Sequence, residues 1–289
     1  MQASTAKPRF RHMGYTPSVE SANSYEFEVR FMPYPKVGVA LGSGAARGLA
    51  NLGVLQVLVE AGIPIDIVCG TSAGAVVAGL YAAGSDLQLL GRMVVELDWH
   101  DLTGWSLRPK GLVSPEKVHN MLRILTRDQR FEDLPVKAAV VATDLLTGEE
   151  VVLDSGSVAD AVTASLSIPG VFVPVERDGM LLVDGALVNR VPGDLCRRLG
   201  AQFVIAVDVG WAPLSSRVRH LPDVIIQTID ILSRQAASRQ EIDCDVLIEP
   251  DLGNVRLTQL NRAAEIVEKG RQAARQALPA IKSSLATLG

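Results

Sequence analysis

The sequence predicts an α/β protein whose mostly parallel central sheet is covered by helices on both faces. Apolar runs of strand length alternate with segments of helical spacing, and small-residue loops join them. The runs are continuously apolar, which is typical of strands buried on both faces. The 289 residues are 48% hydrophobic, so the chain can bury a large core.

Each predicted element follows from its apolar pattern and from the glycines, prolines and polar residues that end it. The predicted strands are 37–41, 65–69, 137–142, 150–153, 171–175, 180–184, 203–207 and 246–249. The predicted helices are 49–60, 73–83, 87–97, 115–125, 158–166, 195–199, 222–240 and 260–278. Asp178-Gly179 predicts a hairpin turn between 171–175 and 180–184. A loop is predicted around Trp99 and Trp105.

The first 36 residues differ from the rest of the chain. They are rich in Phe and Tyr, and residues 25–31 alternate with period two, which predicts a short half-buried strand. Pro33 and Pro35 close the segment. We therefore predict an N-terminal extension at 1–36, adding an edge strand, and a main domain at 37–289.

Charge and cysteine usage exclude several classes of protein. The net charge is −4, and basic and acidic residues are mixed along the chain, so nucleic acid is not expected as a partner. The three cysteines form no C-x-x-C pair, which predicts neither a disulfide framework nor a zinc site and fits a reducing compartment. The N-terminus lacks the apolar core of a secretory signal, so a cytoplasmic location is expected.

An uncharged run at 67–85 approaches the length of a membrane span. Four glycines interrupt it, at Gly70, Gly74, Gly79 and Gly84, which favours a buried strand followed by a buried helix. This interpretation places Ser72 at the junction between them.

The segment from Gly70 to Gly74 reads Gly-Thr-Ser-Ala-Gly and matches G-x-S-x-G. It follows a predicted strand and opens a predicted helix, as a nucleophile elbow requires. Gly70 and Gly74 allow a sharp turn beside Ser72, and the N-terminus of the helix favours developing negative charge. The alternative is that Ser72 is an ordinary helix N-cap.

A second glycine-rich loop, Gly42-Ser43-Gly44-Ala45-Ala46-Arg47-Gly48, also joins a predicted strand to a predicted helix. A dinucleotide site is one interpretation, with Asp66 as the ribose ligand. The other is an oxyanion hole, because small residues at a helix start leave N–H groups unpaired. The Arg47 guanidinium suits a phosphate, although an ion pair with a structural role is an equal alternative.

A serine nucleophile needs a base, and the histidines are poorly placed for that role. Only His220 follows the expected order of a triad, and it lies in a polar segment that is typical of an exposed loop. Asp184 instead ends an apolar strand and is followed by Gly185-Ala186. A carboxylate base therefore becomes attractive, although an aspartate at a turn is also common.

Taken together and in order, these segments resemble the patatin-like phospholipases over roughly residues 37–210, most closely the bacterial branch related to neuropathy target esterase. The matching text is VGVALGSGAARGLANLGVL, DIVCGTSAGAVVAGLYAAG, VATDLLTGEE, ASLSIPGVFVPV and LLVDGALVNRVP. The resemblance implies a three-layer patatin-like fold in the hydrolase domain 37–289. It also implies a Ser72–Asp184 dyad and an oxyanion hole from Gly42, Ser43, Gly44 and Ala45.

The resemblance implies hydrolysis of acyl esters of lipids without metal or cofactor. Ser43 and Ala45 stand where the family usually has glycine, and Asn51 where many relatives have histidine. Peripheral contact with the inner membrane surface is expected, through residues 1–36 or the loop around Trp99 and Trp105. The sequence indicates no oligomeric state. Two other classes stay open: a nucleotide-binding oxidoreductase and a non-catalytic regulatory or membrane-associated binding protein that keeps the fold.

Overall fold

The computed structural model describes residues 35–96, 104–108, 111–212, 214, 218, 221–237 and 241–288. The strands are β1 (Val37–Leu41), β2 (Ile67–Thr71), β3 (Gly104–Arg108), β4 (Gly111–Ser114), β5 (Lys137–Asp144), β6 (Glu150–Leu153), β7 (Val175–Arg177), β8 (Met180–Asp184), β9 (Phe203–Val207) and β10 (Val246–Ile248). The α-helices are α1 (Ala50–Glu60), α2 (Ala73–Ala82), α3 (Leu87–Glu96), α4 (Glu116–Leu125), α5 (Val158–Ser165), α6 (Gly193–Arg198), α7 (Leu221–Ala237) and α8 (Ala263–Leu288). Short 3-10 helices include Ala45–Leu49 and Gly185–Leu187.

Strands β10, β9, β1, β2, β5, β8 and β7 lie side by side in this order, and β6 also pairs with β5. The pairs from β10 to β5 are parallel. Strands β6, β7 and β8 add antiparallel pairs at the other edge. The prediction of a mostly parallel sheet is confirmed. Because β1 and β2 are parallel neighbours, the loop after β1 and the elbow after β2 emerge at the same end of the sheet.

Helices cover both faces of the sheet, as predicted. Side chains that alternate along one strand point to opposite faces, so Val39 and Ala40 of β1 belong to different core clusters. On the Val39 side, the core includes apolar residues of α1, α2, α5 and α8. On the Ala40 side, it includes Leu195 and Cys196 of α6.

Helices α1 and α8 pack with their backbones in close contact. A Cβ on Gly53 would lie 2.0 Å from the Val267 carbonyl oxygen, and one on Gly270 would lie 2.1 Å from that of Ala50. Helix α8 also continues through Pro279 to Leu288, so the prediction that it ends at 278 is wrong. Ile281 and Leu285 are buried beyond the proline, and this burial favours continued helix over the break that Pro279 would otherwise cause.

Two other predictions are corrected by local structure. The first strand of the predicted hairpin is β7 and not 171–175, because the Ile168 carbonyl accepts hydrogen bonds from the N–H groups of Val171 and Phe172 in a turn. The predicted loop around Trp105 contains an antiparallel pair, β3 and β4. The remaining predicted strands and helices are present with small shifts at their ends.

Several predictions fall outside the described residues. These are the strand at 25–31, nearly all of the extension at 1–36, Trp99 and His220. The division of the chain after residue 36 stays a prediction. Among the described helices, none combines the length and the apolar character needed to cross a bilayer.

Candidate active site

Ser72 lies in the tight turn between β2 and α2, with backbone angles of φ 56° and ψ −121°. A non-glycine residue with positive φ stores strain and is often found at functional sites. Close backbone contacts make the flanking glycines necessary. A Cβ on Gly70 would lie 2.4 Å from the Gly74 oxygen, and one on Gly74 would lie 2.0 Å from the Leu41 oxygen.

The Ser72 hydroxyl donates a 2.6 Å hydrogen bond to Oδ2 of Asp184. Asp184 is the last residue of β8, and its other carboxylate oxygen accepts the N–H of Ala186 at 2.9 Å. Gly185 permits this arrangement, because a Cβ there would lie 2.2 Å from the Val141 oxygen of β5. The structure therefore brings together two side chains that are 112 residues apart in the sequence.

The Asp184 carboxyl group is buried, with 6% of the residue exposed. Burial raises its pKa from 3.8 to about 6, and the hydrogen bonds from Ser72 and Ala186 offset only part of this effect. A carboxylate with a pKa near 6 is a stronger base than an exposed aspartate and is still ionised at neutral pH.

The end of helix α5 holds both members of this pair. The Ser72 N–H donates to the Ser165 hydroxyl at 2.8 Å, and the Asp184 N–H donates to the Ser167 carbonyl at 2.9 Å. Thr143 of β5 donates its hydroxyl to the Asp184 carbonyl at 2.9 Å. These residues could not be predicted from the sequence, because hydroxyls at a helix end form no motif with the elbow.

The loop after β1 faces Ser72 with only part of its predicted set of donors. The N–H groups of Gly42 and Ser43 donate to the Val207 and Arg190 carbonyls, both at 3.0 Å. In this geometry neither is free for a substrate oxygen, which corrects that expectation. Among the described residues, the N–H groups of Gly44 and Ala45 have no acceptor.

Gly44 and Ala45 have different local constraints. A Cβ on Gly44 would lie 2.4 Å from a methyl group of Val209, so this position has no room for a side chain. Ala45 has a φ of 47°, a conformation that glycine adopts more easily. This conformation gives a physical reason why a glycine would suit the position.

Arg47 belongs to this loop, and its side chain is buried behind it, with 4% of the residue exposed. Its guanidinium donates to the carbonyls of Val209 at 3.0 Å, Val255 at 3.0 Å and Gly253 at 3.2 Å. Burial is the main cause that lowers its pKa, followed by the nearby Arg190. The expected phosphate contact is wrong for this geometry, since the guanidinium holds the loop against other backbone segments.

Asn51 is fully buried, and its amide donates to the Gly42 carbonyl at 2.9 Å. Its side-chain oxygen has no partner among the described residues. The peptide between Gly42 and Ser43 is thus held on both sides, by Asn51 and by the Arg190 carbonyl. No role of Asn51 was predicted from the sequence.

The geometry does not favour a dinucleotide site. The Asp66 carboxylate, which would have to bind a ribose, accepts the Val37 N–H at 2.8 Å. Asp66 precedes β2 and Val37 begins β1, so this contact is at the end of the sheet opposite to the glycine loop. Ligands of such folds bind at the carboxyl ends of the strands.

Ser72 lines two cavities among the described residues. The first is almost wholly apolar and has a volume of about 190 Å³. Its walls include Ala45, Leu52, Val77, Leu80, Met93, Met121, Leu122 and Phe172. The second, of about 110 Å³, is more polar and also contains Asp184. Its other walls include Gly44, Ala45, Arg190, Trp211, Ile226 and Asp230.

The polar wall of the second cavity is itself held in place. The Arg190 guanidinium pairs with Asp208 and lies 4.1 Å from the centre of the Trp211 ring. Arg234 of α7 lies on the same ring at 5.3 Å and pairs with Asp230. No three His, Cys, Asp or Glu side chains in the described part of the chain are grouped to hold a metal ion.

Residues 39–196 match a family model described as patatin-like phospholipase. A protein of Mycobacterium tuberculosis, named as an uncharacterized NTE family protein, is 34% identical over 212 residues. The match covers 73% of this chain and 59% of that protein. A patatin-like phospholipase domain-containing protein of Caenorhabditis elegans is 37% identical over 187 residues, covering 60% of this chain and 14% of that protein. This chain thus corresponds to only part of these relatives.

Among solved structures, VipD from Legionella pneumophila superposes with a TM-score of 0.61 at 17% identity. The superposition covers 86% of this chain and 67% of VipD, and it shows a likeness of fold. The resemblance noted from the sequence blocks is confirmed by the family model and by relatives that carry the NTE family name. The chain belongs to the patatin-like phospholipase family.

Proposed function

We propose that this protein is a serine hydrolase that cleaves acyl esters of lipids through a Ser72–Asp184 dyad. The observation that carries the proposal is the 2.6 Å hydrogen bond from the Ser72 hydroxyl, on a strained elbow, to a buried carboxylate. Membership in a family named for phospholipases supports the choice of a lipid ester as substrate. The apolar cavity beside Ser72 supports it independently, because its lining suits an acyl chain.

The first half of the reaction forms an acyl-enzyme. Ser72 Oγ attacks the ester carbonyl carbon while Asp184 accepts the hydroxyl proton. When the tetrahedral intermediate collapses, the bond to the alcohol oxygen breaks, and Asp184 returns the proton to that oxygen. The acyl chain then lies in the apolar cavity, and the alcohol leaves through the second cavity.

The second half of the reaction consumes water. Asp184 accepts a proton from a water molecule while the water oxygen attacks the acyl carbon. The bond from the acyl carbon to Ser72 Oγ then breaks, and Asp184 returns the proton to Ser72 Oγ. In both halves, the N–H groups of Gly44 and Ala45 are the donors that we assign to the oxyanion. They belong to the loop beside Ser72 and have no other acceptor among the described residues.

A fluorophosphonate probe tests the nucleophile directly. We expect covalent labelling of the wild-type protein, with the modified residue mapped to Ser72 by mass spectrometry. The Ser72→Ala variant should show no labelling and no hydrolysis of lipid esters in vesicles. Absence of labelling in folded wild-type protein would overturn the proposal and favour a non-catalytic binding role.

The pH profile tests the base. Because the buried Asp184 must be ionised to accept a proton, kcat/KM for an uncharged ester should fall about tenfold per pH unit below about 6. His119→Gln and His220→Gln are the controls and should leave this acidic limb in place. If the acidic fall of kcat/KM shifted to a different pH in His220→Gln, a histidine, and not Asp184, would be the base.

A further inference from the structure

We propose that Ser165 is a positioning residue for the nucleophile, in addition to the dyad. Its hydroxyl would hold the strained backbone of Ser72 so that the Ser72 Oγ stays directed at Asp184. The inference rests on the proposed function, since it concerns the rate of that same reaction.

The geometry is a short relay of hydrogen bonds. The Ser72 N–H donates to Ser165 Oγ at 2.8 Å, and the Ser165 hydroxyl donates to the Val141 carbonyl at 2.6 Å. Ser165 is fully buried, so water does not replace these bonds. Its hydroxyl therefore joins the elbow after β2 to strand β5.

Ser165 departs from the behaviour of the nearby hydroxyl residues, Thr163 within α5 and Ser167 just after its end. Thr163 and Ser167 donate their hydroxyls to the carbonyls four residues earlier, Ala159 and Thr163. This is the usual bond of Ser and Thr inside helices. Ser165 instead turns to a different strand and to the N–H of the nucleophile. A role confined to stabilising α5 would not require this geometry.

The anchor of the relay also touches the base. The Val141 carbonyl that accepts the Ser165 hydroxyl lies against Gly185, where a Cβ would be 2.2 Å away. Gly185 follows Asp184 directly. One fixed carbonyl thus sets the position of Ser165, and through it Ser72, relative to the backbone of Asp184.

Only a group that both donates and accepts can fill this position. Alanine at position 165 would remove the acceptor of the Ser72 N–H and the hydroxyl that donates to the Val141 carbonyl, in a dry site. The positive φ of Ser72 would then lose a restraint, and the backbone could relax and move Oγ away from Asp184. A displacement of about 1 Å at a reacting atom can lower the rate about 100-fold.

The experiment compares Ser165→Ala with Thr126→Val. Thr126 is also fully buried, and its hydroxyl donates to the Leu122 carbonyl at 2.8 Å, outside both cavities at Ser72. We expect both variants to lose thermal stability to a similar extent. Only Ser165→Ala should lower kcat, by about 10- to 100-fold with KM within about twofold, and slow fluorophosphonate labelling equally.

A third variant, Ser165→Cys, keeps a weak donor and acceptor of similar size and should recover part of the lost kcat. The proposal is overturned if Ser165→Ala keeps kcat within about threefold of wild type, or if Thr126→Val loses as much. Failure of the proposed function looks different, because the wild type itself would then show neither labelling at Ser72 nor ester hydrolysis.

Discussion

Replacing Asp184 with Asn is expected to lower ester hydrolysis by about 10³-fold or more and to raise the thermal unfolding midpoint. The amide can keep both hydrogen bonds of the carboxylate, since its oxygen can accept the Ala186 N–H and its nitrogen can donate to Ser72 Oγ. It cannot accept the proton of the nucleophile. The geometry of the site would survive while its chemistry is lost.

The gain in stability follows from the sign of the pKa shift. The folded protein binds the Asp184 proton more tightly than the unfolded chain does, because burial raises the pKa from 3.8 to about 6. The ionised carboxylate therefore destabilises the fold at neutral pH. At about 1.4 kcal/mol per pKa unit, this cost is on the order of 3 kcal/mol.

Calorimetry across a pH series measures this effect. The unfolding midpoint of Asp184→Asn should exceed that of the wild type most clearly above pH 6. The difference between the two unfolding midpoints should disappear as pH falls toward 4, where Asp184 is protonated in the folded wild type. Ser72→Ala serves as the control, because it is also inactive but retains the titrating carboxyl group. Near-wild-type hydrolysis by Asp184→Asn would contradict the dyad.

Gly74→Ala should lower the free energy of unfolding by about 3 kcal/mol and reduce hydrolysis sharply. The added Cβ would lie 2.0 Å from the Leu41 oxygen and 2.8 Å from the Gly42 oxygen. Both are backbone atoms, at the end of β1 and the start of the loop, and they have little freedom to move. Helix α2 would have to shift, and Ser72 at its start would shift with it.

The matched control is Gly79→Ala in the same helix. A Cβ there would approach only side-chain methyl groups, of Val162 at 2.9 Å and of Val158 at 3.1 Å. These can adjust, and alanine favours helix over glycine by about 1 kcal/mol. Urea unfolding should therefore show a much smaller loss for Gly79→Ala. Equal losses would mean that contact with β1 is not what requires a glycine at 74.

The sequence predicted the sheet well because its strands are short runs of uniformly apolar residues. Strand β9 is predicted at its observed bounds, and β2 and α2 are predicted within two residues of theirs. The side chains of Ser72 and Asp184 were also named in advance. Their pairing was predicted from the G-x-S-x-G pattern, the poor placement of the histidines and the family resemblance, because no local pattern alone could predict it.

Other features of the site depend on contacts that no local pattern encodes. Arg47 lies in a glycine-rich loop, a position that favours the prediction of a phosphate contact, yet its acceptors are the carbonyls of Val209, Gly253 and Val255. Ser165 and Ser167 are two residues apart, and no sequence pattern distinguishes them. Only the fold determines that Ser165 accepts the Ser72 N–H while Ser167 donates to the Thr163 carbonyl. The helix predicted at 260–278 stops too early, because the burial of Ile281 and Leu285, which favours its continuation, comes from packing.

The anchoring of the loop around Arg47 has a consequence for the order in which the protein gains activity during synthesis. Strand β2 and helix α2, which flank Ser72, come early in the chain, but Arg47 and the Val255 carbonyl that it binds are 208 residues apart. Ala46 likewise donates its N–H to the Leu257 carbonyl. A growing chain that ends before these residues would carry Ser72 without a fixed oxyanion loop. Because such long-range contacts form late in folding, Ser72 is present in a nascent chain before the oxyanion loop beside it is fixed.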